Sequence, residues 1–492
     1  MAYEEDPIFT YEPPNDEEQD EKRGRGCLSL MSLLLVVVMV GVSIPSLFWL
    51  FSLRQSVAEP IVVTVEVTAT PKPTTVPVVE AVETAVSTPA PVVDVSNTAV
   101  NRIAYINADG HIMTIDPDGT GAQLLTSGNH SFQFPAWSPD STQLAVIGRN
   151  NAGGAVYVID AAADEVNPDS IYQGSSDDPF YLYWAPDGEQ IGFISNDRFS
   201  GISLHVVPAD GSDSSRVVSF GAPFYWHWAD DSQGMLIHVG GSGFGSRVQM
   251  ISVDGDIHPD ELGDPGFFQS PGISADGRYW AYAEGVSADS SQLVVMDTTN
   301  GDRQVQDHLG YVAMNWSPNK PLLAYINGDT LTSESFVGSL RLLDVQTGDV
   351  NVLSRDKVMA FFWSPDGRYI AALSFVDPGA ERDINGQAPK GKGSLAKPSA
   401  QFRLPELDLV IFDVETMEGR ELLRFMPSLP FWSQFLPYFD QYALSHQIWS
   451  PDSNALVLPM QGEEFNQVVV VSIRSGGERL IAEGNMPFWS HR

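Results

Sequence analysis

The amino-acid sequence predicts an all-β fold, a closed β-propeller, on three observations. A Trp-Ser-Pro-Asp-Gly element or a variant of it recurs eight times. Successive copies lie 47, 44, 45, 43, 47, 86 and 40 residues apart, and a short apolar run follows the internal copies. A period in the forties that carries several short strands is the length of one propeller blade. The clearest copies begin at Trp137 (with Pro139 and Asp140), Trp184 (Pro186, Asp187), Trp363 (Pro365, Asp366) and Trp449 (Pro451, Asp452). Decayed copies keep Trp228 with Asp231, Ile273 with Asp276, and Trp316 with Pro318, and a shortened one sits at Trp489-Ser490. The count is eight blades, or seven if the copy at Ile273 is not a separate blade.

In the full element, Pro pre-sets φ, Asp tolerates the next turn position, and Gly supplies φ > 0 where the chain reverses. The element is therefore expected at the turn between the first and second strands of a blade. A second turn about twenty residues on, as at Asp116-Pro117-Asp118-Gly119, Asp210-Gly211 and Asn300-Gly301, joins the third and fourth strands. Seven of the eleven Trp residues occupy the motif position, which suits a large ring packed between blades. The first repeat lacks an opening strand: Arg102–Ile106 reads as a second strand. Met486–Ser490 reads as a first strand with none after it, so joining the two would leave no open sheet edge.

The chain has 492 residues and a net charge of −36. That charge argues against nucleic acid as a partner, since phosphate binding needs a basic surface. A single cysteine, Cys27, permits no intrachain disulfide. Residues 1–26 form an acidic tail in which residues 1–25 carry nine acids and three bases, a composition too poor in apolar residues to pack. Residues 27–53 read as a transmembrane helix. The stretch Leu28–Leu53 is uncharged, and at 1.5 Å per residue it reaches about 39 Å against a hydrocarbon core of ~30 Å. Lys22, Arg23 and Arg25 precede it and only Arg54 follows closely. The lipid bilayer is thus an expected partner, with the N-terminus cytoplasmic and the propeller, residues 100–492, extracytoplasmic. Residues 54–99, rich in Thr, Val, Pro and Ala, read as an extended disordered stalk.

Two insertions explain the gap of 86 residues. The first, 377–406, carries Lys390, Lys392, Lys397 and Arg403 with no acid between Ile384 and Pro405. It is a positive island on an acidic chain, a candidate contact for an anionic polymer or partner, set against a plain solvated loop. The second, 426–446, holds Phe431, Trp432, Phe435 and Tyr438. Such a density of rings builds either a binding surface or, as the favoured reading, a cap packed on the ring.

The repeat, on the motif residues above, resembles the TolB-type, WD-like β-propeller repeat across residues 100–492. The resemblance implies a propeller of the bacterial envelope that serves as an interaction platform for a protein, peptide or glycan. Related propellers carry a serine peptidase domain or act as polysaccharide lyases using His and a metal. The Gly-x-Ser-x-Gly elbow a peptidase needs is not present. The nine His show no His-x-x-x-His spacing, so no cofactor or metal is expected from the sequence. His205, His227, His238 and His446 are the residues that blade convergence could bring together for a lyase, the alternative function. A transmembrane sensor reporting through the tail is the third reading.

Overall fold

The motif turns decide the architecture. Where the sequence places the turn, residue i+4 of the motif has positive φ and its N–H donates to the carbonyl three residues back at 2.8–2.9 Å: Ser141, Gly188, Ser232, Gly277, Gly367 and Ser453. The motif Asp accepts from the backbone N–H two residues on, as at Asp187 (2.9 Å), Asp231 (2.8 Å) and Asp366 (3.0 Å). The motif Ser bonds that Asp and receives the N–H that starts the second strand, as Ser364 does with Asp366 (2.6 Å) and Tyr369 (2.8 Å). The motif Asp and Ser thereby satisfy several of the turn's polar groups locally.

The expectation of Gly at the positive-φ position is corrected in three copies, which have Ser there. The physical reason is a bond to the neighbouring turn. Ser232 Oγ accepts from Asp187 N–H (3.0 Å), Ser453 Oγ from Asp366 N–H (3.1 Å), and Ser141 Oγ from His491 N–H (3.0 Å). The backbone cost of a non-Gly residue at φ near +60° is offset by a tie that Gly could not make.

The computed structural model describes residues 101–492 except 151, 164–166, 175–176, 198–200, 241–244, 288–289, 329–336 and 377–403; all lie in one unit, Val93–Arg492. The tail, the apolar segment 27–53, the stalk, and the basic residues Lys390, Lys392, Lys397 and Arg403 lie outside the described residues. Among those described, no helix is long and apolar enough to cross a membrane.

The described strands form seven antiparallel sheets: five of four strands, one of seven and one of three. The first joins β30 (Asn485–Trp489) to β1 (Ile103–Ile106), β2 (Ile112–Ile115) and β3 (Gln123–Leu124). Ile103 pairs with Trp489 and Ala104 with Phe488, as the end-to-end expectation required. The next four sheets open with β4 (Ser131–Trp137), β8 (Pro179–Trp184), β12 (Phe224–Trp228) and β16 (Gly272–Ile273). The copy at Ile273 thus has its own four-stranded sheet. The seven-stranded sheet opens with β20 (Val312–Trp316) and is held together by β23 (Val350–Trp363). The first part of β23 pairs as a fourth strand (Val350 with Leu343), and its second part as a first strand (Trp363 with Ile370). In the three-stranded sheet the opening position is taken by Trp449, bridged to Leu456.

The motif tryptophans do more than fill space. In five of the seven the indole N–H donates to the carbonyl just before the preceding motif Trp: Trp184 to Ala136 (3.0 Å), Trp228 to Tyr183 (3.3 Å), Trp363 to Asn315 (3.1 Å), Trp449 to Phe362 (3.1 Å) and Trp137 to Phe488 (3.1 Å), while Trp489 donates to Asn101 Oδ1 (2.8 Å). Consecutive sheets are stapled by a bond and a buried ring, the latter worth roughly 1.5–3 kcal/mol. The ladder lapses where the motif has decayed. With Ile273 in the motif place, Trp316 Nε1 is buried without a partner. A Cβ at Gly272 would sit 2.8 Å from the Trp316 ring, so this glycine is what admits the indole.

Candidate functional site: the filled axis and its rim

The insertion 426–446 reaches β30, β4, β8, β12, β20 and β23, and the chain just before β16. It folds into tight helical turns over Phe431–Phe435, Leu436–Tyr438 and α1 (Phe439–Tyr442). Phe435 stacks on Phe488 of β30 and Phe362 of β23, with centroids 5.4 and 6.1 Å apart. Tyr442 stacks on Phe134 of β4 at 4.9 Å and meets Tyr181 of β8 edge-on at 4.9 Å. Phe439 meets Phe361 at 5.3 Å, and α1 also packs on β12 and β20. One segment of about twenty residues touches so many sheets because their opening strands converge on it. It is a plug.

Two polar side chains fix the plug in place. Gln441 accepts from Trp226 N–H (2.9 Å) through Oε1 and donates through Nε2 to Trp226 O (2.8 Å) and the Tyr181 hydroxyl (3.2 Å), which in turn donates to Gln441 O (2.9 Å). Asp440 Oδ2 accepts from Ser270 N–H at 3.0 Å, beside the fifth sheet. Asp440 is 1 % exposed and its Oδ1 has no partner, so burial pushes its carboxyl up to about 7. Gln269 Nε2 donates to Pro437 O (3.1 Å), completing the seam. Tyr225 and Tyr311 stand at the rim, their hydroxyls raised first by burial and then by the Asp440 charge.

Sequence-designated residues divide here. Phe431 and Phe435 are fully buried, which corrects their assignment to an accessible binding surface: they are core of the plug. Trp432 is half-buried against Phe375 (5.8 Å, edge-on) and Tyr438 is 43 % exposed, so both remain reachable. The strand end at Phe375 is also where the basic insertion departs.

The four suspect histidines are not assembled into one site. His205 stacks on Phe193 (4.7 Å) and lies 3.0 Å from Ser195 Oγ. His227 Nδ1 accepts from Ile273 N–H (3.1 Å), and His238 donates from Nδ1 to Gln269 O (2.7 Å) while stacked on Phe268 (3.8 Å). Both therefore tie the fourth sheet to the fifth. His446 lies 2.7 Å from Ser445 Oγ inside the plug. Burial pushes His227 and His238 down to about 4 and His446 to about 3, so all three are neutral near pH 7. Among the described residues no group of three or more His, Cys, Asp or Glu is placed to hold a metal.

Sequence reasoning missed Asp440 and Gln441. Their signal was Phe439-Asp440-Gln441-Tyr442, polar residues inside an aromatic run, where a buried carboxyl or amide needs a designated partner.

This repeated antiparallel meander about shared opening strands defines a β-propeller. No protein-family model matches the chain, and no curated protein does. Solved structures to which it is similar include an oligogalacturonate lyase in complex with manganese, at 15 % identity and TM-score 0.40, covering 78 % of this chain and 86 % of that one. A putative TolB from Agrobacterium tumefaciens is similar at 15 % identity and TM-score 0.34, covering 66 % and 89 %. The dihydro-heme d1 dehydrogenase NirN is similar at 13 % identity and TM-score 0.48, covering 79 % and 75 %. At these values the likeness is one of general architecture.

Proposed function

We propose that the chain is a membrane-tethered, extracytoplasmic propeller of eight blades, closed by β30 on β1, that acts as a non-catalytic platform for a protein, peptide or glycan. The count is supported by the motif copies, with β23 serving two blades and Trp449 opening the last. The tether is supported by the uncharged stretch 28–53 and the basic residues before it. The observation that carries the functional reading is the plug. A channel lyase needs an open axis with converging ionisable groups, whereas here rings of 426–446 occupy the convergence point and the suspect histidines are spent on packing. Binding then falls to the outer faces, and the plug-bearing face is favoured. Connections from second to third strands and from fourth strands to the next sheet emerge on that face, which carries Tyr438 and Trp432.

The test is crosslinking capture with the full chain, run beside a lyase assay on polygalacturonate. The reading expects a captured partner that is lost on deleting 377–406, with no unsaturated uronate product. Release of that product would overturn it.

A further inference from the structure

The junction of the last sheet with the first lacks two bonds that other junctions have. In seven repeats the second residue of the turn between third and fourth strands donates its N–H to the carbonyl just before the second strand, at 2.9–3.1 Å, as Val253 does to Gln233 and Ile473 to Asn454. The first sheet closes the same turn, Asp116 N–H to Thr120 O (3.0 Å) matching Ser252 to Asp256 (2.9 Å), but has Pro117 at the donor place. Proline has no N–H, and among the described residues nothing donates to the matching carbonyl, that of Asn101. The second missing bond crosses between sheets. Gln304 and Arg420 pair with Val295 and Ile411 and reach over to Val345 O and Ile473 O of the next sheet. Arg479 pairs with Val470 at the same distance from its turn, yet makes no hydrogen bond or ion pair among the described residues.

The unlatched junction is a cavity of about 330 Å³, lined by Asn101, Pro117, Asp118, Asp452, Val470 and Arg479 among others. The side chains of the last sheet enter it from one face. Ala455 pairs with Ser472, two residues from Val470, so Ala455, Val470 and Arg479 lie on the same side. That side packs Val457 and Val468 against Ile103 and Trp489 of the first sheet. Asn101, Asp118, Asp452 and Arg479 are exposed, and Ala455 and Val470 are half-buried, so each can be touched from solvent. Asp118 Oδ1 accepts from Thr120 N–H (2.8 Å) and Oγ1 (2.6 Å), which leaves Oδ2 without a hydrogen bond. Asp452 likewise spends Oδ1 on its own turn, through Ser450 (2.6 Å) and Asn454 N–H (3.1 Å). The Asp118 carboxyl is held below the usual range first by Thr120 and further by the charge of Arg479, which lies beyond ion-pair distance.

Three acceptors, the Asn101 carbonyl and two carboxylates, therefore share a cavity with one forked donor and an aliphatic wall. An anion is repelled by Asp118 and Asp452, a simple cation by Arg479, and a neutral ligand compensates neither charge. A zwitterion compensates both: an ammonium carries three N–H donors, and a carboxylate matches the guanidinium fork. We infer that this cavity binds one free α-amino acid with an aliphatic side chain, its ammonium held by Asn101 O, Asp118 and Asp452, its carboxylate by Arg479, and its side chain by Val470 and Ala455. The volume, at the bottom of the ~300–1,000 Å³ range of small-molecule sites, suits a single such unit. The inference goes beyond the platform reading and does not depend on it.

Saturation-transfer NMR titrations of the full chain in a maltoside detergent test it with L-leucine, beside L-leucinamide, which lacks the carboxylate, and N-acetyl-L-leucine, which lacks the ammonium. L-Leucine should receive saturation, and each analogue should bind at least roughly tenfold more weakly. Arg479→Gln and Asp118→Asn should each weaken L-leucine roughly tenfold, the loss of one charge-assisted contact, with the urea denaturation midpoint unchanged. Pro117→Ala restores the N–H that seven repeats have, so it should weaken L-leucine by occupying Asn101 O without lowering the midpoint. No saturation transfer to L-leucine, equal binding of either analogue, or L-leucine binding indifferent to any of the three substitutions would overturn the site.

Discussion

Asp440→Asn isolates the electrostatics of the plug. The carboxyl of Asp440 is buried, holds one hydrogen bond from Ser270 and has an unpartnered Oδ1, and its folded pKa is about 7 against an ordinary 3.8. A pKa raised on folding gives a stability term that is intact below pH ~3.8 and is lost as pH rises through 7. Linkage puts the penalty at about 4 kcal/mol at pH 8 and roughly 1–2 kcal/mol at pH 5. Asparagine cannot ionise and keeps the acceptor for Ser270, although its Nδ2–H groups meet the space of Oδ1 at a cost of about 1–3 kcal/mol at either pH. The pH-independent cost cancels when two pH values are compared. The variant should therefore gain on the parent by roughly 2–3 kcal/mol between pH 5 and pH 8. Urea denaturation at the two pH values, followed by tryptophan fluorescence, measures this. Equal differences between variant and parent at both values would refute a buried carboxyl that ionises within the folded plug.

Three further outcomes are expected. Trp184→Phe loses the bond to Ala136 O as well as ring volume, whereas Trp316→Phe loses volume only, since Trp316 Nε1 has no partner; Trp184→Phe should cost about 1–2 kcal/mol more in urea denaturation. Ser232→Ala keeps a side chain at φ 59° and loses the tie to Asp187, so it should destabilise by about 1 kcal/mol or more, and Ser232→Gly by less, because Gly relieves the backbone. Acid should weaken the fold through His227, His238, His308 and His446, held at about 4, 4, 4 and 3. Their folded pKa values are depressed, so stability falls as pH drops from about 6.5 toward 4, by about 2 kcal/mol per residue at pH 5; His446→Gln should shed one such share of the acid sensitivity in the same titration.

The repeat was legible because a tight turn demands particular residues at fixed spacing. Trp, Pro and Asp at Trp137, Trp184, Trp363 and Trp449 therefore located first strands and turns, and even Ile273 kept enough turn chemistry to mark its sheet. The pairing of Ile103–Ile106 with the last strand was legible as a missing strand at one end and a surplus strand at the other. What Trp137 or Trp184 donates to was not legible, since an indole N–H partner on the previous sheet depends on relative sheet placement. Neither was the destination of 426–446. Its rings announced burial, but only the convergence of opening strands makes an axial plug, and burial removed Phe431 and Phe435 from any surface. His227 and His238 likewise look like potential ligands in sequence, and become ties between sheets once Ile273 and Gln269 come within hydrogen-bond distance.

Hydrogen–deuterium exchange on the full chain tests the closed, plugged ring most directly. The amides of Trp489 and Ser490, bonded to Gln447 O (2.7 Å) and Arg102 O (2.8 Å), and those of Trp226 and Ser270, held by Gln441 and Asp440, should exchange only through global unfolding. Protection at the seam and beneath the plug equal to that of the sheet interiors is the expected result. Rapid exchange at Trp489 and Ser490, or at Trp226 and Ser270, while the sheets stay protected would contradict it.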